Sequence, residues 1–219
     1  MLKARLGEIA RRIPDGATVA DVGTDHGLLA LAVADRVKRV YATDVSADSL
    51  AKLEAALAEN PVANIVPVVT DGLTGLEKEP IDTVVIAGMG AVTIEGILAA
   101  ATLPYLEKLI LCPHVGVEKL RPALGRMGYR IADETMIEED GKFYPILEVV
   151  RGTETFTERE ALYGKFLPRE KSAVFLRFLA QEKRMFEQVL EADLPAARRA
   201  EVHKRLTWIE EMEEVRETP

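Results

Sequence analysis

The sequence predicts an α/β fold in which helices cover both faces of an open, mostly parallel sheet, followed by a helical C-terminal region. Over the first two thirds of the chain, short runs rich in Val and Ile alternate with helical patterns. Nearly continuous apolar runs of this kind are typical of parallel strands buried on both faces. Repeated strand–helix units favour a doubly wound sheet with right-handed crossovers.

The predicted elements follow one another in a regular order. An amphipathic helix with Leu2, Leu6 and Ile9 at helical spacing opens the chain, and Pro14-Asp15-Gly16 ends it. Strands are then predicted at 18–22, 39–43, 65–69, 81–87 and 106–111. Helices are predicted at 27–35, at 47–59 after a Ser46 cap, at 92–101 and at 117–127.

The last two predicted strands form a different pattern. The runs 129–137 and 142–150 enclose Glu138-Glu139-Asp140-Gly141, and Asp-Gly between two strand-like runs is a strong hairpin signal. We therefore expect the sheet to end in an antiparallel pair. Plain nucleotide-binding Rossmann domains usually end in a parallel strand instead.

Arg151-Gly152-Thr153 is predicted to separate two domains, 1–152 and 153–219. Two apolar stripes at helical spacing follow this boundary, with Pro195 between them. They predict an antiparallel helical hairpin or short coiled coil. The first stripe contains Val174, Phe175, Phe178, Leu179, Met185, Phe186, Val189 and Leu190, and the second contains Val202, Leu206, Ile209, Met212 and Val215.

Composition excludes several classes of protein. The 219 residues are 48% hydrophobic and 29% charged, which suits a protein with a substantial core. A single cysteine rules out an internal disulfide framework, and three scattered histidines give no spacing for a metal site, so no metal is expected. The longest apolar runs are too short to cross a bilayer, and a reducing, cytoplasmic compartment is expected. A net charge of −8 argues against coating nucleic acid through the overall field, but leaves room for a local basic patch.

The first candidate binding motif is the run from Asp21 to Gly27, which follows a strand and opens a helix. It reads Asp-Val-Gly-Thr-Asp-His-Gly, with Gly23 and Gly27 allowing close backbone approach to a ligand. The dinucleotide fingerprint Gly-x-Gly-x-x-Gly is absent. An acid before the glycines suits the cationic amino-acid part of S-adenosylmethionine, although other strand-to-helix turns can share the pattern.

Three further motifs follow successive strands, where ligands of doubly wound sheets bind. Asp44 can accept hydrogen bonds from both ribose hydroxyls, or merely help to cap the next helix. Asp71-Gly72 can accept a hydrogen bond from an adenine amino group, or simply form a turn. The run Ala87-Gly88-Met89-Gly90-Ala91 suggests close backbone approach beside a thioether wall.

Cys112-Pro113-His114 follows the fifth strand and is expected to line the same cleft as a substrate pocket. A lone cysteine and histidine can indicate nucleophilic catalysis, but no third group at a telling spacing supports that here. His114 is better interpreted as a polar wall residue.

These motifs together resemble the bacterial tRNA (adenine(22)-N(1))-methyltransferase family, whose members have a Rossmann-like class I methyltransferase sheet. The resemblance covers about the first 152 residues, and Cys112-Pro113-His114 stands where that family usually has a Gln-Pro-Asn-like triplet. The matching runs are Ile13-Pro14, Ala20–His26, Thr43-Asp44-Val45, Asp71-Gly72-Leu73, Ile86–Gly90, Leu109–Leu111 and Glu138–Lys142.

The resemblance implies a tRNA methyltransferase that uses S-adenosylmethionine. Its cofactor contacts would include Asp21, Gly23, Thr24, Asp44, Val45, Asp71, Gly72, Gly88, Met89 and Gly90. Attack by adenine N1 makes the ring cationic, and a nearby carboxylate would stabilise that charge. Asp25 is the candidate for this catalytic role, with His26 as its neighbour, although Asp25 is also suited to a turn or a cofactor contact.

Other functions remain open from the sequence. One is methylation of another RNA, a protein or a small molecule, and a second is a non-catalytic RNA-binding relative. An NAD-dependent oxidoreductase is disfavoured by the missing fingerprint and the terminal hairpin. Basic residues near the N-terminus and in the C-terminal hairpin are candidates for tRNA contact, although such residues often form a solvated face. The sequence leaves the oligomeric state open.

Overall fold

The computed structural model describes residues 2–214, and its single sheet contains seven strands. The strands are β1 (Thr18–Val22), β2 (Arg39–Asp44), β3 (Ile65–Val69), β4 (Thr83–Ala87), β5 (Lys108–Cys112), β6 (Tyr129–Glu139) and β7 (Lys142–Arg151). They are arranged in the order β3-β2-β1-β4-β5-β7-β6. The pairs from β3 to β5 are parallel, whereas β7 is antiparallel to both of its neighbours. The predicted doubly wound sheet with an antiparallel end is therefore confirmed.

Helices connect and follow these strands. They are α1 (Ala4–Arg12), α2 (Leu28–Val33), α3 (Ala47–Glu59), α4 (Ala91–Ala100), α5 (Val117–Arg126), α6 (Glu158–Tyr163), α7 (Leu167–Glu170), α8 (Ala173–Leu190) and α9 (Ala196–Glu213). Ser46 caps α3 as predicted, because its side-chain oxygen accepts a hydrogen bond from the Ser49 amide. Within residues 2–214, no helix has both the length and the apolar character needed to cross a membrane.

The parallel strands are paired so that their carboxyl ends lie level. Val22 of β1 is opposite Thr43 of β2 on one side and Ile86 of β4 on the other. Ala87 of β4 is in turn opposite Cys112 of β5. The loops that leave these four strands therefore emerge side by side at one edge of the sheet, the position at which doubly wound sheets bind ligands.

Apolar side chains bury both faces of the sheet. Ile9 of α1 and Leu53 of α3 belong to the cluster on one face, while Ile94 of α4 and Leu124 of α5 belong to the cluster on the other. All four side chains are completely buried. This two-sided burial explains why the parallel strands lack polar alternation in the sequence.

The β6–β7 hairpin turns through the two residues that the sequence suggested. Asp140 and Gly141 have φ angles of 51° and 71°, so both lie in the left-handed region. A two-residue hairpin turn of type I′ requires this conformation at both positions, which Asp-Gly adopts readily. The strands reach Glu139 and begin again at Lys142, so β6 is two residues longer than predicted.

The outer edge of the sheet at β3 contains a proline. The Asn64 carbonyl accepts from the Val40 amide and the Thr70 amide donates to the Asp44 carbonyl, so both residues turn their backbones towards β2. Backbone groups of successive strand residues point to opposite sides, so those of Pro67 point to the outer edge. Its missing N–H therefore removes no hydrogen bond between β3 and β2.

The C-terminal region contains the predicted helical hairpin together with two short helices that precede it. Helices α8 and α9 run antiparallel, because the Lys171 ammonium just before α8 contacts the Glu214 carbonyl at the end of α9, while Arg199 near the start of α9 donates to the Ala192 carbonyl just after α8. Their shared core includes Phe175, Phe186, Val202, Ile209 and Met212, and Met136 of β6 packs into it. Val215 of the predicted second stripe lies outside the described residues, and the domain boundary at residue 152 stays a prediction.

A buried ion pair joins this helical region to the sheet. Arg121 of α5 is 1% exposed and donates to Glu134 of β6, whose side chain is fully buried. The same guanidinium donates to the carbonyl oxygens of Ala161 at 2.6 Å and Leu162 at 2.9 Å, both in α6. Burial raises the pKa of Glu134, and the charge of Arg121 opposes that shift. Arg121 therefore forms hydrogen bonds to α6 and also compensates the charge of Glu134.

Removing this guanidinium should destabilise the protein strongly. Arg121→Met leaves a buried carboxylate and two carbonyl oxygens without their partner, and we expect a loss of about 3–5 kcal/mol in unfolding free energy. Arg126→Met is a matched control on the same helix, at an exposed position, and should change the value by about 0.5 kcal/mol or less. Urea unfolding would measure both, and similar midpoints for the two variants would contradict the expectation.

Candidate functional site

The loops at the carboxyl ends of the strands enclose two cavities on either side of Gly23. The first, called the Asp21 cavity, has a volume of about 290 Å³ and is lined by Asp21, Gly23, Thr24, Asp25, His26, Gly88, Arg5 and three leucines. The second, called the Asp44 cavity, has a volume of about 250 Å³ and is lined by Asp44, Val45, Asp71, Gly72 and Met89 among others. The level strand ends thus bring together most of the residues singled out in the sequence.

Gly23 is required between the two cavities. Its φ angle is 72°, and a Cβ added there would overlap the Met89 side chain. The amides of Gly23 and Thr24 both donate to the Thr43 carbonyl, at 2.8 and 2.9 Å. This fixes the loop after β1 against the end of β2.

Asp21 is a buried carboxyl group at the base of its cavity. Its residue is 6% exposed, and the Thr24 hydroxyl donates to its carboxylate at 2.6 Å. Burial raises the pKa of Asp21 to about 6, against the opposing effect of the Thr24 hydrogen bond. Among residues 2–214, no positive side chain forms an ion pair with Asp21, so its ionised form would gain from a positive group supplied by a ligand.

A positive group lines the same cavity. Arg5 of α1 places its guanidinium carbon 5.3 Å from the centre of the Tyr144 ring, and its Nε lies 4.0 Å from the Glu139 carboxylate. The Tyr144 ring and the partly buried position restrict the movement of the guanidinium. Because the ion pair with Glu139 is as long as 4.0 Å, N–H groups of the guanidinium remain available to a ligand. The cavity thus presents a buried carboxylate at Asp21, an exposed one at Asp25 and one guanidinium, which complements a ligand carrying both charges.

The loop after β1 continues with an exposed polar pair. Asp25 has a φ angle of 52°, and its carboxylate lies 2.5 Å from Nδ1 of His26. The Lys52 ammonium contacts the other ring nitrogen, Nε2. Donation from Lys52 to Nε2 leaves the imidazole proton on Nδ1, directed at Asp25. Asp25 thus faces solvent at the rim of the cavity in a fixed orientation.

Asp44 connects the two cavities through its carboxylate. One oxygen accepts from the Ser46 amide at 3.0 Å, and the other accepts from the Asp25 amide at 3.3 Å. Both proposed uses of Asp44, helix capping and ligand contact, are therefore compatible, since each carboxylate oxygen can accept more than one hydrogen bond. Beyond it, Val45 is 68% exposed and Asp71 is exposed at the mouth of the cavity.

The structure exposes only one of the three residues of the expected substrate pocket. Cys112 is completely buried and burial raises the pKa of its thiol, while Pro113 is also buried. His114 alone is exposed, with its amide donating to the Met89 carbonyl at 2.9 Å and its ring 5.3 Å from that of Tyr144. Burial lowers the pKa of His114, and Arg5 and Lys142 add to this shift. Neutral His114 is thus positioned as a wall residue.

Gly90 also has a local role. It is the N-cap residue of α4 and forms a bridge with Val115, which joins the loops after β4 and β5. Gly90 therefore supports the neighbouring Gly88 and Met89 without lining either cavity.

Several lining residues were not predicted from the sequence to line a ligand cavity. Arg5, Leu6, Leu28 and Leu29 line the Asp21 cavity, and Thr70, Thr93 and Ile97 line the Asp44 cavity. The amphipathic pattern of α1 located Arg5 on a helix surface, but only tertiary packing places that surface beside Asp21. Within residues 2–214, no group of three His, Cys, Asp or Glu side chains could hold a metal ion.

The chain is similar to known methyltransferases in both sequence and structure. Residues 2–147 match a family model described as a methyltransferase domain. A Bacillus subtilis tRNA (adenine(22)-N(1))-methyltransferase is 32% identical over 211 residues, covering 87% of this chain and 87% of that protein. A Streptococcus pneumoniae structure in complex with S-adenosyl-L-methionine is 29% identical with a TM-score of 0.86, covering 97% of this chain and 99% of that one. M. capricolum TrmK, solved with S-adenosyl-homocysteine, is 25% identical with a TM-score of 0.84, covering 96% of this chain and 97% of that one.

The buried Asp21 carboxyl should make the ligand-free protein less stable above about pH 6. Since its native pKa of about 6 exceeds the unfolded value, the protonated form is favoured by folding, and this contribution is lost as the pH rises through 6. Asp21→Asn should therefore raise the unfolding free energy at pH 7 by roughly 2–3 kcal/mol, with the difference fading below about pH 4. Urea unfolding at several pH values would measure it.

A control for this prediction lies in the same loop. Asp25→Asn changes an exposed carboxylate and retains a residue type that tolerates the left-handed conformation. It should leave the pH profile close to that of the unmodified protein. A pH-independent effect of Asp21→Asn would contradict the assignment of the penalty to a buried charge.

Proposed function

Because this chain belongs to the tRNA (adenine(22)-N(1))-methyltransferase family, we propose that it transfers a methyl group from S-adenosylmethionine to N1 of adenine 22 in tRNA. The observation that carries the proposal is the pair of cavities around Gly23, with charged groups in one and carboxylates at the mouth of the other. Acting on tRNA, the protein would work in the cytoplasm.

The residues of the two cavities fit S-adenosylmethionine in both charge and shape. The Asp21 cavity combines a carboxylate with a guanidinium, which suits the ammonium and carboxylate of the amino-acid part. The Asp44 cavity combines carboxylates with an apolar wall formed by Met89 and Ile97, which suits a nucleoside. Gly23 between them permits close approach of the ligand to the backbone.

Each carboxylate has a distinct proposed task. Asp21 accepts hydrogen bonds from the ligand ammonium, and Arg5 donates to the ligand carboxylate. Asp44 accepts hydrogen bonds from the ribose hydroxyls with the lone pairs that Ser46 and Asp25 leave available. Asp71 accepts from the adenine amino group at the open end of the cavity.

The reaction needs positioning more than acid–base chemistry. S-adenosylmethionine supplies an electrophilic methyl group on a positively charged sulfur. The lone pair of the acceptor N1 forms the new bond as the sulfur–carbon bond breaks, and the adenine ring takes the positive charge. Asp25, oriented by His26, provides a carboxylate that stabilises this charge at the rim of the Asp21 cavity. Because N1 is normally paired or stacked, the base must be turned out of the RNA.

The tRNA-binding surface is smaller than the number of basic residues suggests. In the C-terminal hairpin, Lys183 pairs with Glu210 and Glu213, and Lys204 pairs with Glu158 and Glu201. Such intramolecular pairs neutralise charges that would otherwise attract phosphate. Arg184 and Arg198 have no ion pair among the described residues and are exposed, so they are the better candidates for RNA contact.

The activity can be tested by methyl transfer from labelled S-adenosylmethionine to unfractionated bacterial tRNA, followed by nucleoside analysis. We expect 1-methyladenosine as the product, at position 22 on mapping. Asp25→Ala should reduce kcat by about 10²-fold or more, because it removes a group that stabilises developing charge. Binding of cofactor without any labelling of tRNA would contradict the substrate assignment, and a different methylated nucleoside would contradict the acceptor atom.

The role of Arg5 can be tested with a ligand that lacks its counterpart. Removing the carboxylate from S-adenosylmethionine should weaken calorimetric binding to the unmodified protein by about 10- to 100-fold, as expected for a hydrogen bond between charged groups. In Arg5→Met this difference should disappear, because the guanidinium is gone.

A neighbouring lysine supplies the control for this comparison. Lys3→Met removes an exposed cation that pairs with Asp140, so the preference for the carboxylate-bearing ligand should persist. If Arg5→Met and the unmodified protein discriminated equally between the two ligands, Arg5 would not bind this carboxylate. That outcome would leave the proposed methylation activity standing.

A further inference from the structure

A third, larger depression lies beside the Asp21 cavity and is called here the α8 cleft. It has a volume of about 630 Å³ and runs between the end of β5, the tip of the β6–β7 hairpin and helix α8. Its walls include Val115, Lys142, Tyr144, Phe178, Gln181 and Met185. Helix α8 therefore contributes one side of this cleft.

The α8 cleft shares a wall with the Asp21 cavity. The ring of His114 lines the cleft and lies 3.9 Å from the point where a Cβ on Gly88 would stand, while Gly88 lines the Asp21 cavity. Arg5 likewise lines the Asp21 cavity and covers the ring of Tyr144, which lines the cleft. A molecule seated in the cleft against His114 is thus a neighbour of the ligand bound beside Gly88.

The cleft walls are apolar and aromatic but face solvent. Val115 is 70% exposed and Met185 is 47% exposed, on opposite sides of the cleft. Phe178 is held by ring contacts at 5.6 Å to Phe143 and 6.5 Å to Tyr163. Exposed apolar walls of this kind mark binding sites, and aromatic rings held in place suit a flat, stacking ligand.

Polar groups at the rim suit a nucleotide. Gln181 presents an exposed amide, whose paired donor and acceptor match the edge of adenine. Lys142 is exposed and has no ion pair among residues 2–214, so its ammonium is available to a phosphate. The carboxylate of Glu182 is compensated by Arg205 at 3.2 Å and by the Tyr163 hydroxyl at 3.1 Å, which limits its repulsion of phosphate.

We propose that the α8 cleft receives the acceptor nucleoside of the RNA, which enters between the β6–β7 hairpin and α8. The target base stacks against the aromatic wall, Gln181 contacts its edge, and Lys142 contacts the flanking phosphate. The proposal rests on the tRNA methyltransferase function proposed above. It makes α8 part of the substrate site, rather than only a support for RNA bound elsewhere. A nucleoside suits this cleft better than a second protein chain does, because the volume of about 630 Å³ is in the range of small-ligand sites.

Blocking the cleft provides the first test. Gln181→Trp fills it from the α8 side, and Gln188→Trp makes the same change at an exposed position on the same helix outside the cleft. We expect single-turnover methylation of tRNA to fall by about tenfold or more in Gln181→Trp and by less than about twofold in Gln188→Trp. Calorimetric binding of S-adenosylmethionine should be the same in both. Equal activity of the two variants would overturn the proposal.

Photo-crosslinking locates the nucleoside directly in the unmodified protein. The adenosine that the protein methylates is replaced by 8-azidoadenosine in tRNA, and the complex is irradiated with S-adenosyl-homocysteine present. We expect labelled peptides from 114–115, 142–144 or 178–185. Labels found only outside these segments would overturn the cleft assignment while leaving the methylation activity intact. Absence of methylation by the unmodified protein would instead remove the proposed function on which the cleft assignment rests.

Discussion

The level register of the parallel strands is the constraint on which the candidate site depends. Because Val22 is opposite both Thr43 and Ile86, the loops after β1, β2 and β4 begin at the same height. Hydrogen bonds then connect the loops, with the Thr43 carbonyl holding Gly23 and the Asp44 carboxylate holding Asp25. A shift of one residue in either pairing would turn these side chains to the opposite face of the sheet and separate the charged groups.

A second constraint is electrostatic and acts over a longer stretch of the chain. The buried contact between Arg121 and Glu134 is supported by hydrogen bonds to two carbonyl oxygens of α6. A buried charge tolerates few arrangements, since every partner lost adds a desolvation cost. The contact therefore limits how the helical region can sit against β6, and with it the width of the α8 cleft.

Local patterns in the sequence were sufficient to predict the sheet, but not to predict every residue of the site. Strands buried on both faces have a clear signature, and Asp140-Gly141 allows few other turns, so these elements followed from short windows of sequence. The carboxylates after the strands could be found because topology alone brings strand ends together. Arg5 and Gln181 could not be assigned to a site from the sequence, because each lies on a helix whose orientation depends on side-chain packing between distant segments. Cys112 was misleading for the same reason, since only packing shows that its thiol is completely buried.

The proline in β3 has a consequence for how molecules of this protein meet one another. The outer edge of a sheet offers N–H and C=O groups that can recruit an extended segment from another chain. Pro67 withholds one donor from the middle of a five-residue edge, so no continuous ladder can form along it. Pro67 thereby opposes the pairing of β3 with a strand of another molecule, and so opposes aggregation through this edge.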